Sequence, residues 1–456
     1  MVRTLKNLFV HRSAALLSID MLLLFVATNV LQHYLVRLNI DVVGHTANQI
    51  TVPILATIMA TLAIATMGFY QWDFCWDRRS WILRMIVAAL LIAVILARSL
   101  LYPDGASNWA DAQIRSMGFY MAAVAAFVVG FHALRFGPRL LKRRILLIGS
   151  GNRAANIEEL ARRSNEAIVI AGRVRSGTAA GCETSYDEFN PALFRRARIR
   201  EVVVAVDDQR GLPMHLLLQW KFAGVRVVDY LTFWERECGR VDLGAASPAW
   251  FLYGDGCRRS RWYQMAKRCF DIVVSVLLLT LTAPLAAICA ALIWFESGGP
   301  ILYRQERVGR HGRVFTLLKF RSMRCDAESA SQPRWAVKQD PRTTRVGSVM
   351  RQLRIDEIPQ LWNVLRNDMS LIGPRPERPF FVEQLADDIP FYRDRHWVKP
   401  GITGWAQVNF HYGASVEDSR HKLSYDLYYV KNSGFLLDLF IAVSTIRVIL
   451  FQEGAR

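Results

Sequence analysis

The sequence predicts a membrane protein of mixed α and α/β class. It reads as a four-helix transmembrane bundle, a Rossmann-like α/β module, and a compact C-terminal domain anchored by a proline-broken re-entrant helix. Three observations carry that prediction. Four apolar runs fill the N-terminal third, roughly 14–36, 52–70, 81–101 and 116–134, each close to the ~20 residues that a spanning helix needs. A glycine-rich turn then follows a short apolar strand within an alternation of strands and helices. A fifth uncharged run, Ile272 to Phe295, carries Pro284 at its centre and basic residues on both sides.

Composition narrows the partners. The 456 residues leave room for two or three domains, and 52% are hydrophobic, with charges spread too evenly for a pure bundle of spans. A formal charge of +18 calls for an anionic partner; beside membrane segments, that points to lipid headgroups and phosphorylated substrates rather than nucleic acid. The seven cysteines (75, 182, 238, 257, 269, 289 and 325) show no metal-ligand spacing. This argues against a zinc site and suits a reduced, cytoplasmic setting. No small-residue cleavage site follows the first apolar run, which is expected to stay as an anchor.

The bundle occupies residues 1–140. Arg3, Lys6 and Arg12 precede the first span, Arg78 and Arg79 separate the second from the third, and Arg135 to Arg144 follow the fourth. The other two loops are poor in Lys and Arg, so both ends of the bundle belong in the cytoplasm. Buried helices of a soluble protein would not supply four such runs in succession.

The α/β module, 141–255, opens on "RRILLIGSGNRA", a strand over Ile145–Ile148 and then Gly149-Ser150-Gly151 leading into a helix. Further strands read at 167–174, 201–208 and 225–230. The glycines match a dinucleotide fingerprint, in which backbone approaches a pyrophosphate at a helix N-terminus. The second strand, however, ends in Gly172-Arg173-Val174, with no acid placed to hold a ribose. A structural or regulatory module is favoured over a redox-cofactor site, which stays the alternative.

The fifth run would be about 36 Å long as helix, enough to cross. Crossing would put one basic flank outside: Arg258, Arg259, Arg261, Lys267 and Arg268 stand before it, Arg304, Arg307, Arg310 and Arg313 after it. Pro284 removes one backbone hydrogen bond at the midpoint, and Ser275, Thr280 and Thr282 offer hydroxyls to the freed groups. A helix–break–helix over about 268–296, entering and leaving one leaflet, reconciles these features. A plain fifth span is the alternative.

The C-terminal domain, 256–456, is densely basic. "VFTLLKF" reads as a strand, and alternation sends Lys319 and Arg321 to one side, as a phosphate pocket or a solvated face. "RQLRIDEIPQLWNVL" sets Asp356 and Glu357 side by side behind Arg351 and Arg354. Two carboxylates there mark a helix start, or else one attacks while the other holds a metal. Gly373-Pro374-Arg375-Pro376 is a stiff turn that fixes an arginine, suited to bidentate phosphate binding. "KPGITGWAQVN" is a second rigid loop, with Trp405 available to cover a base or seal a cleft. The last apolar segment, 435–451, carries Asp438 and Arg447 and is expected to pack or lie on a surface rather than span.

Residues 262–456 resemble the bacterial sugar transferase family, the monotopic phosphoglycosyl transferases. The resemblance rests on "KRCFD", the proline-broken apolar helix, "LLKFRSM", "VGSVMRQLRIDEIPQLWNVL", "MSLIGPRP" and "KPGITGWAQVN", in this order. With spans and an α/β module in front, the whole chain resembles the large family members that act as undecaprenyl-phosphate glucose or galactose phosphotransferases. The family's helix break is commonly Ser-Pro; here it is Ala283-Pro284, which keeps the proline and loses the hydroxyl.

The resemblance implies that Asp356 attacks the sugar-bearing phosphate of a UDP-sugar and expels UMP, and that undecaprenyl phosphate resolves the phosphosugar-aspartyl intermediate. It implies Mg2+ on Glu357 and a homodimer at the bacterial inner membrane, in contact with phospholipid. Lys319, Arg321, Arg351, Arg354 and Arg375 are the candidates for phosphate charge, joined by the dipole of a helix beginning near Asp356. Glucose is the expected sugar, by family frequency. Two rival readings are an NAD-dependent enzyme acting on sugar nucleotides and a catalytically silent scaffold or nucleotide sensor. A ternary-complex route with Asp356 as general base stays open beside the covalent one.

Overall fold

The computed structural model describes residues 143–164, 168–174, 194, 196–208, 212–253, 260–324, 342–410 and 415–450. The four expected spans lie outside the described residues. The chain divides into two compact units between Cys238 and Gly239.

In the first unit β1 (Arg143–Ile148), β2 (Ile168–Val174), β3 (Ile199–Val204) and β4 (Arg226–Asp229) form a parallel sheet ordered β2-β1-β3-β4, as the strand–helix alternation predicts. Helices α1 (Asn152–Arg163), α2 (Met214–Phe222) and α3 (Tyr230–Cys238) follow β1, β3 and β4. Ile145 to Ile148 are all buried, the continuous apolar pattern of a strand covered on both faces. The order of strands reverses beside β1, so the Gly149–Gly151 turn sits at the sheet's switch point. A carboxylate of the chain itself occupies that turn. Asp207 accepts from the backbone N–H of Asn152 at 3.0 Å and of Arg153 at 3.4 Å, and a Cβ on Gly151 would lie 1.7 Å from it. Asp207 therefore stands where a dinucleotide fold places its pyrophosphate. At the end of β2, Arg173 pairs with Glu158 and donates to the Gly149 carbonyl.

The second unit begins with 239–253, including α4 (Pro248–Tyr253); Val241 N donates to Ser424 O at 3.0 Å, and Val241 and Leu243 lie in this unit's core. The sequence reading assigns that stretch to the α/β module. Next come α5 (Arg261–Ser297), the antiparallel hairpin of β5 (Leu302–Val308) and β6 (Val314–Phe320), α6 (Arg345–Gln352) and α7 (Gln360–Leu365). Then follow β7 (Ser370–Ile372), α8 (Pro379–Asp388), β8 (Gly401–Thr403), α9 (Trp405–Asn409), α10 (Val416–Asn432) and α11 (Phe435–Leu450). β7 and β8 pair in parallel. The core gathers Val364, Met369, Ile389, Leu427, Tyr428 and Ile441. Helix α11 packs as expected, burying Leu437, Phe440 and Ile441. Its buried Asp438 accepts from Tyr263, Lys267 and Tyr429 at 2.7–2.8 Å.

Helix α5 runs unbroken for 37 residues through Pro284, where the sequence reading expects helix–break–helix. The physical reason is that a proline costs one hydrogen bond and bends a helix without ending it. Thr280 and Thr282 donate to the Val276 and Leu278 carbonyls one turn back. A narrow stripe along the helix, Asp271, Ser275, Cys289 and Ile293, is buried against the second unit. Phe270, Val274, Leu279, Ala286 and Ala290 flank that stripe half-buried, and most of the other residues from Ile272 to Phe295 are apolar and exposed, Pro284 included. Both ends are held by one unit. Near the start, Arg268 donates to the Val364 and Leu365 carbonyls at 2.7 and 2.9 Å, and Asp271 accepts from Ser370 Oγ and Leu371 N. At the other end, Glu296 caps α6 through Arg345 N and Val346 N.

Candidate active site

The acidic pair sits in a 3-10 turn, Ile355–Glu357, between α6 and α7. Arg354 enters that turn with φ 56° and ψ 22°, a left-handed conformation that costs a non-glycine residue about 1 kcal/mol or more and clusters at functional sites. The sequence reading starts a helix near Asp356; α7 instead starts at Gln360, with Pro359 as its cap. The dyad therefore precedes the helix rather than forming its first turn, and the dipole of so short a helix adds little.

The two carboxylates have different surroundings. Glu357 Oε1 accepts from Arg375 Nη2 at 2.8 Å and from Lys319 Nζ at 3.2 Å. Burial works against its ionisation, but the charges of Arg375 and Lys319, helped by Arg354, hold its pKa far below the usual range. Asp356 is 8% exposed and makes no hydrogen bond among the described residues. Burial lifts its pKa above that of an ordinary aspartate, with Glu357 adding to the rise and Lys319, Arg375 and Arg351 opposing it. The pair is thus one fixed anion beside one largely buried carboxylate that makes no hydrogen bond among the described residues.

Lys319, Arg351, Arg354 and Arg375, all expected around the phosphate, are the cations whose fields act on the dyad. Arg321 is not among them. Strand β6 ends at Phe320, so alternation no longer aims the next side chain. The guanidinium of Arg321 is instead buried against Ser297 and the Gly298 carbonyl, closing the end of α5. Trp405 does not face a cleft either: its indole N–H donates to Gly239 O at 2.7 Å, and its ring stacks on Tyr428.

A model of the family described as bacterial sugar transferase matches residues 262–452. A UDP-glucose:undecaprenyl-phosphate glucose-1-phosphate transferase of Caulobacter vibrioides is 39% identical over 217 residues, covering 81% of that protein and 47% of this chain. The chain belongs to the bacterial sugar transferase family. A UDP-N-acetylgalactosamine-undecaprenyl-phosphate N-acetylgalactosaminephosphotransferase of Aeromonas hydrophila is 50% identical over 194 residues, 42% of this chain and 46% of that protein. An undecaprenyl-phosphate glucose phosphotransferase of Komagataeibacter xylinus is 35% identical over 327 residues, 70% of this chain and 61% of its own length. The chain thus spans roughly half to three-fifths of those last two relatives.

In this member of the family several residues that a motif reading passes over hold the site together. Buried Asn363 accepts from Leu318 N at 3.0 Å and donates to Thr316 O at 2.8 Å, pinning α7 to the strand that carries Lys319. Arg307 donates to Pro376 O at 3.0 Å, and Arg395 donates to Arg375 O at 3.0 Å, so two guanidinium groups brace the turn carrying Arg375. Arg395 is itself buried and ion-paired with Asp426 at 2.7 Å. Burial pushes Asp426 up to about 6 despite that partner. Only the proline-flanked Arg375 carried a signal in sequence.

Arg395→Met is expected to cost about 3–5 kcal/mol by stranding Asp426, read as a lower unfolding midpoint. Pairing it with Asp426→Leu is expected to restore the midpoint but not turnover, because the Arg375 carbonyl stays unbraced. Beside Arg395, burial and that residue's charge pull His396 down to about 4, with the Arg393 carbonyl opposing. The unfolded chain takes up a proton near pH 6.5 that the folded chain refuses, so this stability is complete above 6.5 and is lost as pH falls towards 4. Melting the wild type and His396→Gln across that window is expected to show a flatter acid side for the variant.

Proposed function

We propose that the chain transfers a hexose-1-phosphate from a UDP-sugar to undecaprenyl phosphate at the cytoplasmic face of the bacterial inner membrane. The products are undecaprenyl-diphosphate-sugar and UMP, a first step of exopolysaccharide or glycoconjugate synthesis. The observation that carries this reading is the split dyad: a buried Asp356 with no hydrogen bond among the described residues stands beside a Glu357 held ionised by Arg375 and Lys319. An oxygen of Asp356 attacks the phosphorus bearing the sugar; the bond to UMP breaks, and UMP leaves with the electron pair. The phosphosugar then sits on Asp356 as an acyl phosphate. An oxygen of undecaprenyl phosphate attacks the same phosphorus, and Asp356 departs as carboxylate. Both nucleophiles are anions already, so neither step needs a base; each needs cations to let anions meet. Arg375 and Lys319 stand on Glu357 at one side, and Arg351 and Arg354 add their charge from the adjoining turn.

The donor set suits Mg2+, which takes one or two carboxylates and completes its shell with phosphate oxygens and water. Among the described residues no group of three or more His, Cys, Asp or Glu could hold a metal without substrate. Glu357 would be its ligand, and the ion would neutralise phosphate charge.

The posture of α5 supports a monotopic attachment of the second unit. Both ends of the helix are bonded to that unit while its apolar side is exposed. A helix so held embeds in one leaflet and keeps the dyad where water-soluble donor and membrane acceptor meet. A plain span would carry one end away from the unit.

Glucose is the proposed sugar, on the relative whose match covers 70% of this chain; N-acetylgalactosamine is the second reading, on the 50% identity of the Aeromonas protein. The test is UMP release by protein in nanodiscs with a panel of UDP-sugars, Mg2+ or EDTA, and undecaprenyl phosphate, together with intact-mass detection of a phosphosugar adduct. Lipid-dependent release from one sugar, stopped by EDTA, is expected. Absence of release from every UDP-sugar would leave the scaffold reading in front.

A further inference from the structure

A second cationic pocket lies away from the dyad, at the other end of α7. Its volume is about 160 Å³, and it is walled by the first turns of α5 (Tyr263, Lys267, Arg268), the segment after α7, Arg310 and Lys399. Neither dyad carboxylate lines it. Four cations face this space against one lining carboxylate, Asp271. The balance is uneven: Lys267 meets Asp438 at 2.8 Å, but Arg268 is spent on two neutral carbonyls. Lys399 donates to the neutral Asn367 side chain. Burial and the nearby charges of Arg268, Arg310 and Lys267 depress the Lys399 amine, with Asp271 opposing. An anion entering the pocket would relieve that mutual repulsion.

Size and position narrow the ligand. The space is well below the ~300 Å³ or more of pockets for drug-sized ligands, which disfavours a nucleotide sugar and suits a single phosphate group. The same turns of α5 carry exposed Trp262, Met265 and Val273 on their outer side, so the pocket wall is also the start of the membrane-embedded face. Lys and Arg at that depth meet lipid phosphates.

We propose that this pocket binds the phosphate headgroup of an anionic phospholipid and thereby sets the catalytic unit's seating on the membrane. The proposal rests on the monotopic placement of α5, not on the transfer chemistry. Its test keeps the two apart by reading lipid as well as turnover. Full-length protein is reconstituted in nanodiscs of phosphatidylcholine with increasing phosphatidylglycerol, and phosphatidylglycerol retained after detergent extraction is counted by native mass spectrometry. The variant is Arg310→Ser/Lys399→Ser, with Arg310→Ser alone in reserve should the double variant misfold. About fivefold per cation at a membrane surface predicts about 30-fold weaker retention by the double variant. Its basal UMP release in neutral nanodiscs is expected to be unchanged, while stimulation by phosphatidylglycerol is lost. Equal retention by wild type and variants would overturn the proposal. So would displacement of phosphatidylglycerol from wild type by equimolar undecaprenyl phosphate, which would assign the pocket to the acceptor, or by millimolar inorganic phosphate, which would make it a free-phosphate site. If no UDP-sugar turns over, the retention measurement still decides.

Discussion

Asp356→Asn is expected to lower UMP release by about 10³-fold or more while leaving the protein folded, because it removes the attacking oxygen and keeps the shape. The side chain makes no hydrogen bond among the described residues, so its replacement strands no partner. It also removes buried negative charge beside Glu357, which should leave the unfolding midpoint equal or higher. The measurement pairs initial rates in nanodiscs with melting of the same preparation. The adduct seen by intact mass in the wild type should vanish. An Asn variant that still turned over at a tenth of the wild-type rate would exclude the covalent route through Asp356. Turnover reduced with no adduct in either protein would favour the general-base alternative.

Gly373→Ala should be nearly as damaging, for a reason that lies in the backbone. A Cβ at this position would stand 2.3 Å from Lys399 O and 2.9 Å from Gly401 N, and neither neighbour is a flexible side chain. The same strands are locked by Gly373 N to Thr403 O at 2.8 Å and Gly401 N to Pro374 O at 2.9 Å. Two backbones approach here so closely that only hydrogen fits between them. Forcing them apart moves Arg375, two residues on, away from Glu357, and a shift of about 1 Å in a positioning group costs on the order of 10²-fold in rate. Gly434→Ala is the control, since its Cβ would meet only Asn432 O at 3.8 Å. A Gly373→Ala protein with wild-type rates would mean that the turn does not place Arg375.

How far these features were readable before folding differs residue by residue. The dyad was legible because two adjacent carboxylates in a basic chain ask for an explanation that needs no coordinates. Lys319, Arg351, Arg354 and Arg375 were legible as charges around it, and their fields do converge there. Arg321 was misplaced because alternation holds only while the strand lasts, and β6 stops one residue short. Arg395 and Asn363 carried no signal at all. Each acts on a residue 20 or 45 positions away, through bonds that exist only once α7, β6 and the 373–376 turn are side by side.

By itself the sequence determined what depends on residue type and short periodicity. That includes the parallel α/β sheet, the long apolar helix, the paired carboxylates and the cationic surroundings they require. Only the tertiary structure decided what depends on which groups compete for one space. Asp207 fills the helix N-terminus that the glycine pattern leaves open, and Trp405 is consumed by packing. Helix α5 runs through its proline with both ends on one unit, and Lys319 and Arg375 bond to Glu357 rather than to Asp356. A sequence names the donors and acceptors; burial and distance settle which of them meet.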